Sequence, residues 1–126
     1  MEDRASIVRR VRDAGGLAFV SISTITLAEL RYGLGIMPES RKKAAAVSSL
    51  GRILDSDVDT RPFTASAANV YSEAGATLRK AGIAFSFQDL AIAAIAISEN
   101  KTLASNDDFF GHMRSLCGLR FERWEP

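Results

Sequence analysis

The sequence predicts an α/β fold, a three-layer α/β/α arrangement with helices on both faces of a mainly parallel sheet. Three observations point there. Helix-like and strand-like segments alternate along the chain, with no repeat, linker or low-complexity stretch between them. The run Leu17 to Ser23, Leu-Ala-Phe-Val-Ser-Ile-Ser, is nearly continuously apolar, as a strand covered on both faces is. The segment Leu90 to Ile97 is apolar all round, and a helix without a polar face is buried on most sides.

The elements follow in order. Glu2 to Gly16 reads as a helix: Ile7, Val8 and Val11 share one face, Arg9, Arg10 and Arg12 lie elsewhere, and Gly15-Gly16 ends it. After the Leu17 to Ser23 strand, Thr24 or Thr26 caps a helix through Tyr32 that Gly33 and Gly35 stop. Pro38-Glu39-Ser40 opens a helix to about Leu54, with Ala44, Val47, Leu50, Ile53 and Leu54 as its apolar stripe. A short strand is expected near Val58 to Pro62, where the proline confines it to an edge or an end. Thr64 caps the helix Ala65 to Lys80, and Gly82 ends it. Asp89 opens the buried helix. A strand at Thr102 to Ala104, a short helix around Asp108 to Met113 and an alternating edge strand, Leu119 to Trp124, complete the chain.

Size and composition fit a single domain over residues 1–126. Hydrophobic residues at 47% and charged residues at 25% are the mix of a globular protein with a real core. Lys and Arg number 16 against 15 Asp and Glu. That balance neither selects nor excludes a nucleic-acid partner, because a local cluster can bind phosphates on a near-neutral protein. One cysteine, Cys117, leaves no intrachain disulfide, which fits a reducing cytoplasm. The single histidine, His112, is too close to it in sequence to read as a separately delivered base, so Cys117 reads as packing. No apolar run approaches the ~18 residues of a membrane span, and the charged start has no signal-peptide core, so the expected location is cytoplasmic.

Chemistry gathers around three acidic positions, Glu29, Asp89 and Asp107, each beside an apolar element. Taken singly they read as a solvated helix position, a helix N-cap and a turn aspartate. Taken together, an acidic group at a helix start and acidic groups after the next strand are how a parallel sheet collects carboxylates along one edge. Crowded carboxylates call for a hard divalent cation. Asp108 is a neighbour that reads better as a solvated turn, and Arg31 could meet a phosphate or a partner. Tyr32 reads as core or dimer interface.

Four motifs, in this order, resemble the PIN-domain ribonucleases, specifically the VapC/FitB-like toxins: Ser-Ile-Ser-Thr-Ile-Thr-Leu-Ala-Glu-Leu-Arg-Tyr-Gly (21–33), Phe-Ser-Phe-Gln-Asp-Leu-Ala-Ile-Ala-Ala-Ile-Ala (85–96), Thr-Leu-Ala-Ser-Asn-Asp-Asp-Phe-Phe (102–110) and Gly-Leu-Arg-Phe-Glu-Arg-Trp (118–124). The resemblance implies a Mg²⁺- or Mn²⁺-dependent endoribonuclease. It assigns catalytic and metal-binding roles to Glu29, Asp89 and Asp107. Ser105 falls in the family's threonine position, and Ser105, Asp108 and Arg31 are the residues around the site. It also implies an RNA substrate, a cognate antitoxin and a homodimer, with no membrane partner. Such a metal lowers the pKa of a bound water and stabilises charge on the phosphate during in-line attack.

In one respect the pattern departs from the family. Its members open with a short hydrophobic strand ending in an aspartate, of the type Leu-Asp-Thr-Asn, and this sequence has no such segment. Asp3 does not follow a strand and does not inherit the role. The expectation is an N-terminally truncated PIN-like domain lacking its central strand and one metal ligand. The second reading, from another class, is therefore a catalytically impaired module that binds antitoxin or dimerises. A phosphoaspartate receiver is disfavoured, because the early paired acids and a late strand-end lysine are missing.

Overall fold

A computed structural model describes residues 21–55, 58–105 and 107–123. The elements are β1 (Ser21–Ser23), α1 (Thr24–Gly35), α2 (Arg41–Asp55), β2 (Asp59–Arg61), α3 (Ala65–Lys80), α4 (Phe87–Ser98), β3 (Leu103–Ser105), α5 (Phe109–Cys117) and β4 (Phe121–Arg123). The helix expected over Glu2 to Gly16, the first half of the Leu17 strand, Asp3 and Trp124 lie outside the described residues.

Small side chains bring α3 and α4 together. α4 buries Leu90, Ala91, Ala93, Ala94, Ile95 and Ala96, and α3 buries Ala67, Ala74, Gly75 and Leu78. Gly75 is a close-approach position, since a Cβ there would lie 3.2 Å from Leu90 Cδ2 and 3.5 Å from Phe85 Cζ. Phe110 and Met113 of α5, with Leu119, close the main cluster over Leu78 and Leu90. A second, smaller cluster joins Ala67 to Ala94 and Ile95, with Ile25, Phe63 and Val70 against it. Each fully buried leucine contributes about 2 kcal/mol of apolar transfer. The helix apolar all round is thus buried as its sequence requires.

Both central helices are capped by their own sequence. Thr64 Oγ1 accepts the Ala67 N–H at 3.1 Å, and Ser86 Oγ accepts the Asp89 N–H at 3.2 Å. At its C-terminus α3 turns through Gly82, φ +75°, with Ile83 N–H donating to Leu78 O and Gly82 N–H to Arg79 O. α4 makes the same closure through Asn100, φ +56°, with Lys101 N–H on Ala96 O and Asn100 N–H on Ile97 O. An asparagine tolerates the left-handed region that the closure requires.

Several expectations are corrected. Ser23 caps α1, not Thr24 or Thr26: its Oγ accepts the Thr26 N–H at 2.9 Å. α1 runs through Gly33 to Gly35, because helical glycine is tolerated when no left-handed turn is imposed. α2 starts at Arg41, where Ser40 Oγ accepts the Lys43 N–H at 3.0 Å. Its stripe is not buried: Val47 is 49% and Ile53 39% exposed, and neither α1 nor α2 has a buried residue. Tyr32 is 70% exposed and so is no core residue. β3 sits one residue later than expected, and α5 runs on to Cys117, where Gly118 takes φ +72°.

The strands are parallel, as the alternation of elements requires, but the described ones form two separate pairs. β1 pairs with β2, Ser21 opposite Asp59 and Ser23 opposite Arg61; β3 pairs with β4, Leu103 opposite Phe121 and Ser105 opposite Arg123. Among the described residues side chains, not backbone, connect the two. Lys101 Nζ donates to Ser21 Oγ at 3.1 Å, and Arg61 of β2 grips Glu99 at the end of α4, with Nε and Nη2 both 2.7 Å from Oε1.

Candidate active site

Asp89 is the third residue of α4, half-buried in its first turn. The sequence alone suggested that its carboxylate caps the helix. Ser86 does that instead, and among the described residues no hydrogen bond or ion pair engages the Asp89 carboxylate. An anionic group is therefore held where the helix dipole favours negative charge, with its oxygens left available.

Glu29 lies on α1 and is exposed. It stands four residues after Ile25, whose side chain packs against the Ala67, Ala94 and Ile95 cluster. Residues four apart share a helix face, so Glu29 continues the stripe by which α1 docks on α4. Its carboxylate also has no ion-pair partner among the described residues.

Asp107 is exposed just beyond β3 and is held by local bonds. Its N–H donates to Ser105 Oγ at 3.1 Å, and its Oδ1 accepts the Phe109 N–H at 3.0 Å. One carboxylate oxygen thus helps start α5 while the other carries no such bond. Asp108 pairs with Arg123 of β4. Arg31 lines a groove between α1 and α2 with Lys43, rather than joining either acid in an ion pair.

Chain order puts Glu29 within the helix that follows β1, Asp89 at the start of α4 and Asp107 just after β3. Ligand sites of parallel sheets form beyond the carboxyl ends of their strands. Among the described residues, however, no three His, Cys, Asp or Glu side chains come close enough to hold a metal ion. The donor chemistry fits a hard cation that keeps most of its waters and takes one or two carboxylates plus a substrate phosphate.

The pattern of the PIN domain matches residues 2–116, nearly the whole chain. The chain belongs to the PIN-domain family. Among curated proteins, this PIN domain is 34% identical over 106 residues to Ribonuclease VapC2 of Rickettsia felis, covering 84% of this chain and 75% of that one. It is 35% identical over 97 residues to the plasmid stability protein StbB of Pseudomonas syringae pv. tomato, covering 75% and 70%. Among solved structures, VapBC2 from Rickettsia felis bound to a DNA fragment from its promoter superposes with a TM-score of 0.77 at 30% identity, covering 96% of this chain and 86% of that one. The PIN domain here is thus VapC/FitB-like, and its short parallel strands among helices are an α/β PIN fold.

Two features of this PIN domain were missed in the sequence. One is the charged cluster around Glu99, whose Oε2 lies 3.6 Å from Lys101 Nζ and has no hydrogen-bond partner. The hydrogen bond from Arg61 holds the Glu99 carboxyl below its ordinary range, and Glu99 in turn raises Arg61. Residues 61 and 99 are too far apart in sequence for pattern reading to pair them. The other is a chain of aromatic contacts through Phe63, Tyr71, Phe85 and Phe87. Its signal, Phe-x-Phe two residues before Asp89, was in plain view. Cys117 is half-buried with its thiol pushed up by burial, consistent with a packing role.

Proposed function

We propose that this protein is the toxin of a toxin–antitoxin module, an Mg²⁺- or Mn²⁺-dependent endoribonuclease that hydrolyses RNA phosphodiester bonds in the cytoplasm. The observation that carries the reading is Asp89: a carboxylate fixed in the first turn of a buried helix, relieved of capping by Ser86 and, among the described residues, left without a partner. The likeness to Ribonuclease VapC2 supports the same activity.

Glu29 and Asp89 would hold the metal, with Asp107 joining through the oxygen not bonded to Phe109. When bound, the metal would activate a water and offset charge at the scissile phosphate. The chain's own part would be to present two carboxylates that carry no ion pair among the described residues. The N-terminus of α4 adds a favourable potential for an approaching phosphate only beside the cation, since Asp89 itself is negative. Ser105 orients Asp107 through its N–H, and the Arg123 pair keeps Asp108 turned outward.

The α1–α2 arm is the surface we assign to partners. Its groove of about 340 Å³ is lined by Leu34, Val47, Leu50 and Leu54 with Arg31 and Lys43 at its rim. Lys43 is paired to Glu39 there at 2.8 Å, so an apolar trough with Arg31 as its cation suits an amphipathic segment of a cognate antitoxin. The structural neighbours include VapBC-5 from Mycobacterium tuberculosis, a member of the VapBC family of toxin-antitoxin systems. Exposed Tyr32 and Ile36 extend the apolar surface toward a second copy of the chain in a homodimer.

The test is cleavage of single-stranded RNA with added Mg²⁺ or Mn²⁺. Asp89→Asn and Glu29→Gln each lower the rate by at least about 100-fold while leaving the fold intact, several kcal/mol of transition-state charge stabilisation being lost. Equal rates in both variants and the parent would remove the carboxylates from the mechanism. A second reading is supported by the absence of a three-residue metal group among the described residues: a catalytically impaired module that still binds antitoxin or dimerises. It requires antitoxin capture without metal-dependent cleavage.

A further inference from the structure

Among the described residues, Phe87 is an exposed large apolar side chain close in sequence to Asp89. It is the first residue of α4, 53% exposed, two positions before Asp89. Its ring is not loose. It leans on Tyr71 at a centroid distance of 5.6 Å and on Phe63 at 6.1 Å, and Tyr71 is itself set edge-on against Phe63 and Phe85. Phe85 and Tyr71 pack on the main core, so the contact chain runs from the core outward and ends in one solvent-facing ring. Four of the chain's ten aromatic residues (Phe 7, Tyr 2, Trp 1) take part.

Burying Phe87 would need only a larger neighbour over it, yet the chain props it from behind and leaves it open. Phe87 and Asp89 occupy the first and third positions of the helix, so they flank its mouth rather than share a face. A polynucleotide crossing that mouth meets an anion-handling site on one flank and an aromatic plane on the other. Single-stranded RNA has this alternation of phosphate and unstacked base, whereas duplex RNA keeps its bases stacked and presents none to an aromatic ring.

We propose that Phe87, braced by Phe63 and Tyr71, is a positioning residue that stacks on an unpaired base of the RNA next to the phosphate handled at Asp89. This rests on the ribonuclease reading above and deepens it by assigning the base contact to one side chain, Phe87. Stacking is indifferent to base identity, so Phe87 fixes register and strandedness rather than sequence.

The experiment uses the full chain and a single-stranded RNA oligonucleotide, with a hairpin-duplex RNA of the same composition as control. Binding is read by fluorescence anisotropy in the Asp89→Asn background, where no cleavage intervenes, and KM and kcat are read in the parent background. Phe87→Ala is expected to weaken single-strand binding about tenfold and raise KM similarly, with kcat nearly unchanged and duplex binding unaffected. Phe87→Trp is expected to restore binding, and its indole emission to be quenched when the oligonucleotide is added. Because the ring is exposed, circular dichroism should report both variants folded. Single-strand affinity that is the same with Ala, Phe and Trp overturns the proposal while leaving the ribonuclease reading standing. So does a Phe87→Ala variant whose only change is loss of a dimer, since the ring is then a contact between copies. If the parent neither binds nor cuts RNA, the ribonuclease reading fails and this inference falls with it.

Discussion

The helices α3 and α4 and the helices α1 and α2 are consecutive pairs of similar length, joined by short loops, and they have opposite fates. α3 and α4 bury ten residues between them: Ala67, Ala74, Gly75, Leu78, Leu90, Ala91, Ala93, Ala94, Ile95 and Ala96. α1 and α2 bury none. Composition accounts for α4, apolar all round, but not for α3 against α2, since α2 carries an apolar stripe as regular as that of α3. The difference is in what faces the stripe. Alanines and Gly75 let α3 and α4 approach until Leu78 and Leu90 are fully enclosed, and α5 then covers them. Among the described residues the α2 stripe meets the edge of α1 and leaves a groove. Among the described residues one pair encloses the core, and the other leaves its apolar stripe open.

Local opening gives the largest contrast. Amide hydrogens of α1 and α2 are expected to exchange at least about a hundredfold faster than those of Leu90 to Ile97, since opening the arm exposes little buried apolar surface. Equal protection in the isolated protein would mean that the arm is covered in solution, and would break the comparison.

Side-chain truncation should follow. Leu90→Ala, at a site with 0% exposure, is expected to cost about 3 kcal/mol in denaturant unfolding. Val47→Ala, at 49% exposure, should cost about 0.5 kcal/mol. The ratio sharpens the contrast because both remove aliphatic carbons from an apolar stripe. A smaller effect tests the close approach itself. Gly75→Leu places carbons where a Cβ already meets Leu90 Cδ2 at 3.2 Å, and should lower stability by about 2 kcal/mol through overpacking. Gly51→Leu on α2, where an added Cβ meets nothing within 4 Å, should not destabilise.

The smallest effect lies at the link between the strand pairs. Arg61 lowers the Glu99 pKa in the folded state below the ordinary value of 4.5. A depressed carboxyl contributes stability that is fully present above the unfolded pKa and is lost as pH falls through the folded one. The melting temperature of the parent should therefore drop as pH falls below about 4.5. Glu99→Gln should lie lower near neutral pH and show a flatter acid limb. Identical acid limbs would assign that pH dependence to other carboxylates.

Much of this was legible without coordinates, and the reasons are local. The buried α4 announced itself because no polar residue interrupts Leu90 to Ile97. The ends of α3 were readable because Thr64 and Gly82 act within a turn of where they sit. Glu29, Asp89 and Asp107 stand out in the sequence by their motifs and by position next to apolar elements, and their joint role is what the substitutions proposed above test. The errors were local too. Thr24 and Thr26 are as good caps as Ser23 on propensity, and only the backbone turn at Ser23 decides between them. Asp89 looked like a cap because the sequence does not say that Ser86, three residues earlier, has taken the helix's free N–H.

The sequence by itself determined the alternation of elements, the helix that must be buried and the family, because each is written in residues adjacent in the chain or one helical turn apart. Only the tertiary structure decided which apolar stripe is covered, that the described strands form two parallel pairs tied by Arg61, Glu99, Lys101 and Ser21, and that Phe87 is propped open beside Asp89. Those outcomes depend on which surfaces meet across tens of residues. Periodicity shows that a stripe is apolar, but only packing settles whether another surface fits closely enough to exclude water from it.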